Sequence, residues 1–159
     1  MKKIILICTL ILTAYVLKAA NDEATTYVTV NGKTIFCQDV KFGLSKVKII
    51  MPNGEVTKVA YSNVDSYQHD GKLFDRLPVV DESNKTTCCA LMEYQAQRNG
   101  LKLYKYTVYE EDADLSIGVV TKAHPVDYYF VFKDGKYYLR LDNKNAAQVL
   151  DFFGVKTEA

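Results

Sequence analysis

Hydrophobic and polar positions alternate along much of this chain, and the alternation is broken at five places by an Asn-Gly or Asp-Gly pair. Period-two alternation marks a half-buried strand. A type I′ turn needs two residues at positive φ, which Asn, Asp and Gly tolerate best. Asn31-Gly32, Asn53-Gly54, Asp70-Gly71, Asn99-Gly100 and Asp134-Gly135 therefore predict tight hairpins. Their uneven spacing argues against a propeller or solenoid repeat and for a meander of unequal hairpins.

The flanking segments carry the β-branched and aromatic residues that strands favour. Tyr27–Val30 and Lys33–Phe36 flank the first turn, and Val47, Ile49 and Met51 alternate with Lys46 and Lys48. Pro52 opens a turn, after which Val56–Tyr61 returns. Val64–Gln68 and Lys72–Phe74 flank Asp70-Gly71, and Pro78–Thr87, polar after Val80, reads as a loop. Residues 88–98 are open between helix and strand: they contain good helix formers, yet the turn at Asn99-Gly100 and the strand Leu101–Tyr109 favour the first arm of a hairpin.

The clearest hairpin is Val126–Leu141. A two-residue loop at Asp134-Gly135 pairs Lys133 with Lys136, Phe132 with Tyr137 and Phe130 with Leu139. Tyr128, Phe130, Phe132, Tyr137, Leu139 and Leu141 then share one face, and Asp127, Tyr129, Val131, Tyr138 and Arg140 the other. A helix follows, capped by Asp142 or Asn143, with Ala146, Val149, Leu150 and Phe153 at i, i+3, i+4 and i+7 and Gly154 where helices stop. The expected fold is β-rich, a mainly antiparallel hairpin meander of about ten strands forming a rolled sheet or open barrel, with one C-terminal amphipathic helix.

The first twenty residues follow a different pattern. Lys2 and Lys3 precede an apolar run from Ile4 to Leu17, and small Ala19 and Ala20 are followed by polar Asn21-Asp22-Glu23. That layout predicts a secretory signal peptide over residues 1–20 and a single β-rich domain over 21–159. The run is shorter than the roughly 20 apolar residues a spanning helix needs, so no membrane span is expected after cleavage. Cys8 lies inside the run behind Ile7, which argues against lipidation. The expected location is the periplasm, the cell surface or the extracellular space.

Composition supports a folded domain: 159 residues, 48% hydrophobic and 25% charged. Without residues 1–20 the chain keeps 17 basic and 19 acidic residues, a net charge of −2. Near-neutral charge gives no footprint for nucleic acid, which is held by clustered Lys and Arg. Three cysteines remain, Cys37, Cys88 and Cys89. A disulfide between Cys37 and one of the adjacent pair, a free third thiol, and three small buried hydrophobes are the open alternatives.

Candidate chemistry is sparse. Cys88 or Cys89 with His124 and Asp127 would supply the nucleophile, base and orienting carboxylate of a thiol-dependent enzyme, but no local motif supports the set. Neither a Cys-x-x-Cys spacing nor a helical histidine pair is present, and the acidic run Glu110–Asp114 lacks the Gly and distal Glu of a calcium loop. No cofactor and no metal are expected. Eleven tyrosines lie beyond residue 20. Tyr104, Tyr106, Tyr129 and Tyr138 are the candidates for a binding surface, because exposed Tyr offers rigid amphipathic contact area. The absence of Trp weakens the case for a sugar platform, and half-buried strands explain many tyrosines without any ligand.

Taken as a set, Asn31-Gly32-Lys33-Thr34-Ile35, Tyr61–Pro78 around Asp70-Gly71-Lys72, Leu101-Lys102-Leu103-Tyr104 and Tyr128–Phe153 resemble a loose group of small secreted proteins of Bacteroidetes-type bacteria. The resemblance implies a bacterial envelope location. The group has no established active site, so nothing follows for mechanism. The functional expectation is a non-catalytic binding or structural accessory module whose partner is an envelope protein or glycan. The thiol-dependent enzyme is the alternative. Self-assembly through an exposed sheet edge is a third class, since hairpin proteins must cap or pair their edges.

Overall fold

The computed structural model describes residues 26–110, 113–114, 119–120 and 123–156, and the expected signal peptide lies outside them. Among the described residues the chain forms thirteen strands: β1 (Tyr27–Val30), β2 (Lys33–Phe36), β3 (Asp39–Phe42), β4 (Lys46–Ile50), β5 (Val56–Ala60), β6 (Val64–His69), β7 (Lys72–Val80), β8 (Thr86–Arg98), β9 (Leu101–Glu110), β10 (Ala113–Asp114), β11 (Val119–Val120), β12 (His124–Lys133) and β13 (Lys136–Arg140). One α-helix follows, α1 (Ala146–Phe153). Eight strands make an antiparallel sheet in the order β13-β12-β9-β8-β7-β6-β1-β2, while β3-β4-β5 form a second sheet and β10-β11 a short pair. The count exceeds the expected ten because β3 has only Val40 and Phe42 as apolar signal and β10 and β11 are two residues each. No described helix is long and apolar enough to cross a membrane.

Four of the five predicted turns are two-residue loops with both residues at positive φ, as at Asn31 (49°) and Gly32 (74°). The Asn53-Gly54 pair differs. Only Gly54 is left-handed there, and the Met51 N–H bonds the Glu55 carbonyl at 2.8 Å, so Pro52-Asn53-Gly54 is a three-residue loop. The same loop recurs at Glu82-Ser83-Asn84 with Asn84 at φ 60°. Its turn is fixed by the Asp81 carboxylate, which accepts from the N–H groups of Ser83 and Lys85, each at 2.9 Å. This corrects the loop expected over Pro78–Thr87: β7 runs to Val80 and β8 starts at Thr86. Residues 88–98 are strand throughout.

The last hairpin departs from its expected register. Phe132 does face Tyr137, but a bulge between Val131 and Phe132 then sets Val131 opposite Leu139 and Phe130 opposite Arg140. An extra residue on one strand shifts every later side chain to the other face. Leu139 and Leu141 therefore pack with Val131, while Arg140 joins the face of Phe130 and Tyr128. Tyr138 is left 60% exposed.

Opposed residues share a face, which divides the large sheet cleanly. On the inner face Met92, Tyr104, Phe130 and Phe132 are sealed with Val80, and Leu77, Tyr94, Tyr106, Tyr128 and Tyr137 pack around them. The sheet curls until β13 comes back against β7, so that the Tyr137 hydroxyl donates to Asn84 Oδ1 at 3.1 Å. The outer face has two covers. At one end the β3-β5 sheet packs Val40, Val47 and Ile49 onto Val28 and Val64. At the other, α1 packs Leu150 onto Leu103, Val131 and Leu141. Between the covers lies an ionic strip: Glu93 pairs with Lys72 at 3.2 Å and Lys105 at 3.5 Å, and Lys105 reaches Asp127 at 3.8 Å.

The helix keeps its predicted stripe and its stop, with Gly154 left-handed at φ 71°. Its N-cap is Asn145 rather than Asp142 or Asn143. Asp142 instead fixes the preceding turn, its carboxylate accepting from the N–H groups of Lys144 and Asn145 at 2.9 and 3.0 Å, while Asn145 Oδ1 accepts from the Asp142 N–H at 2.9 Å.

Candidate functional site

The length difference between β12 and β13 creates a concavity at the end of the large sheet. β13 pairs only with Phe130–Lys133, so the half of β12 from His124 to Tyr129 continues past it, bonded to β9 on one side. The chain leaves at Leu141, whose N–H bonds the Tyr129 carbonyl at 2.9 Å, and turns into α1. An open cleft of about 850 Å³ follows this step around the edge of β12. Asp81 and Glu82 approach from the β7–β8 loop, Asp127 and Tyr128 from β12, and Tyr137 and Arg140 from β13.

Its side chains are held in place. The Arg140 guanidinium lies over the Tyr128 ring, 4.7 Å from the centroid, a cation–π contact that fixes both groups. The Tyr128 hydroxyl donates to Glu110 Oε1 at 2.6 Å, and that hydrogen bond raises the phenol pKa, with desolvation next in weight. Asp127 accepts from the Thr107 hydroxyl and pairs with Lys105. Tyr129 is raised chiefly by burial and then by Asp127. The carboxylates Asp81, Glu82, Asp127 and Asp142 against one Arg140 give the lining an acidic balance.

The binding candidates named from sequence do not form one surface. Tyr104 is 2% exposed and belongs to the inner core. Its hydroxyl donates to Asp75 Oδ2 at 2.6 Å, and burial, followed by that bond, raises its pKa strongly. Tyr106 faces the same interior opposite Tyr128, whereas Tyr129 faces the helix side. Tyr138 lies apart from the other three, beside Leu101, Gln148 and Phe152 in a separate recess against α1. Tyr128, Tyr137 and Arg140 were missed as a set because the bulge that brings Arg140 to Tyr128 has no sequence signal.

The thiol set is not assembled either. His124 and Asp127 are three apart on one strand and point to opposite faces, so the carboxylate cannot orient that imidazole. Cys88 and Cys89 likewise alternate, opposite Val79 and Pro78. All three described cysteines are free thiols: Cys88 and Cys89 are exposed, and Cys37 is buried, its pKa raised by burial and then by Asp39. The disulfide between Cys37 and either neighbour is therefore not made. Among the described residues no His, Cys, Asp and Glu groups converge in a metal-holding cluster. Glu110 ends β9 under Tyr128, while Glu111 and Asp112 lie outside the described residues.

No known family, curated protein or solved structure matches the chain.

Proposed function

We propose that this protein is an exported, non-catalytic binding module of the bacterial envelope and that its ligand, a hydroxyl-rich envelope glycan, seats in the cleft at the end of β13. Export rests on the signal-like layout of residues 1–20, and the envelope on the resemblance to small secreted proteins. The observation that carries the binding reading is the pre-set Arg140–Tyr128 pair on the wall of a cleft of about 850 Å³, with the Tyr128 hydroxyl anchored by Glu110. Planar guanidinium and carboxylate groups match vicinal hydroxyls, and the Tyr137 ring offers an apolar face beside them.

Calorimetric titration with soluble fragments of envelope glycan tests the ligand. Saturable binding should weaken at least about tenfold in Arg140→Ala, which removes charge and the stacked plane together. No saturable heat, or equal affinity in the variant, removes the cleft from the account. Intact mass of the protein from its native compartment tests export separately: loss of about 20 residues is expected.

A further inference from the structure

The sheet has a second discontinuity, away from the cleft. β8 and β9 are bonded only from Glu93–Lys105 to Arg98–Leu101, and beyond Glu93 the two strands part. Among the described residues, β8 from Thr86 to Met92 is therefore bonded on one side alone, to β7. Thr86, Thr87, Cys88 and Cys89 are consecutively exposed, which an interior strand does not permit. Ala90 is buried but small, and Met92 at 0% exposure closes the apex of the notch.

This edge lacks the charges and proline that mark the others, and its one irregularity is a bulge that leaves Thr87 unopposed on β7. Proteins blunt open edges with charges, proline or brevity, because unpaired N–H and C=O groups template another strand. β13 has Lys136 and Arg140 at its ends, so an antiparallel copy would set like charges opposite each other. β5 has Lys58 at its centre, β2 is four residues starting with Lys33, and the free half of β12 carries Pro125 and Asp127. Thr86–Ala90 has no charge and no proline.

We infer that the Thr86–Ala90 edge of β8 is a self-association surface, on which a second copy of this chain adds its own β8 antiparallel about a two-fold axis at Cys88. The partner is another copy because the edge is self-complementary. With the axis at Cys88, Thr86 meets Ala90, Thr87 meets Cys89 and Cys88 meets itself, with no charge facing a charge. The small side chains let two backbones approach at strand spacing.

The geometry supplies its own reporter. Opposed residues of an antiparallel pair have Cβ atoms about 4.5–5.5 Å apart, within reach of a disulfide after small adjustment. With oxidised glutathione, one Cys88 thiolate attacks the disulfide and releases glutathione, and the second Cys88 thiolate then displaces the other glutathione. The full chain should give a reducible dimer of twice the subunit mass, kept in Cys89→Ser and lost in Cys88→Ser. Sedimentation of the reduced protein should show a concentration-dependent dimer whose dissociation constant rises at least about tenfold in Cys88→Lys, since two ammonium groups would meet on the axis. Circular dichroism should show the same folded spectrum for both Cys88 variants, because this side chain is exposed. A wild-type monomer at every concentration overturns the inference and leaves the edge to a different chain. A cross-link that survives Cys88→Ser, or a Cys88→Lys protein as dimeric as wild type, overturns it too.

Discussion

On the inner face of the large sheet, Phe130, Phe132 and Tyr104 are sealed by the curl of the sheet itself, and the outer face depends on two added covers. The inner face draws its residues from consecutive strands, so its burial follows from closure and is shared by every strand that curls. The outer face is covered piecewise, by β3–β5 at one end and α1 at the other, with charged residues in the gap. Loss of one outer cover exposes a local patch, whereas a void in the inner face weakens the closure that also holds the cleft walls Tyr128 and Tyr137.

The strongest way to break this contrast is Phe130→Ala. Phe130 is 1% exposed at the centre of the inner cluster, and its truncation should cost about 3–5 kcal/mol, read from urea unfolding. The matching change under the outer cover is Leu150→Ala, at 4% exposure. It should cost about 2 kcal/mol, the low end for such truncations, because an eight-residue helix at the rim can settle into the gap. Equal losses in the two variants would show that the outer cover is as integral as the inner core.

The smallest expected effect sharpens the comparison through pH. Burial and the Asp75 hydrogen bond raise Tyr104 from its usual 10.0, and on the outer face burial pushes Tyr67 up to about 12. Both phenols hold their protons longer folded than unfolded, so their contribution to stability is complete below about pH 10 and is lost progressively above it. Tyr104→Phe should cost about 1 kcal/mol at neutral pH and flatten the alkaline decline, with Tyr67, Tyr106, Tyr128 and Tyr129 sharing the slope that remains. An unchanged slope between pH 10 and 12 in the variant would show that Tyr104 does not carry it.

Local chemistry was readable in the chain wherever it was sufficient. Four Asx-Gly turns, the β1–β2 hairpin and the α1 stripe ending at Gly154 appear where their residues predict them. The loop at 81–85 was overextended because Asp81 makes the turn with its side chain, and Glu-Ser-Asn carries no glycine to announce it. The β13 register was misread because a bulge costs one residue and leaves no mark in composition. The candidate site suffered most from that shift. Arg140, assigned to the face of Tyr129, stands instead over Tyr128.

The sequence by itself determined that this is a hairpin-built β protein closed by one C-terminal helix, because turns, alternation and the helical stripe are set by residues close in the chain. Tertiary structure decided which strands end early, where β8 parts from β9 and which side chains meet at the end of β13. Those outcomes depend on curvature and on residues brought together from distant strands, such as Tyr104 with Asp75 and Tyr137 with Asn84. No local pattern encodes them, since the free energy that selects them comes from burial shared across the whole sheet.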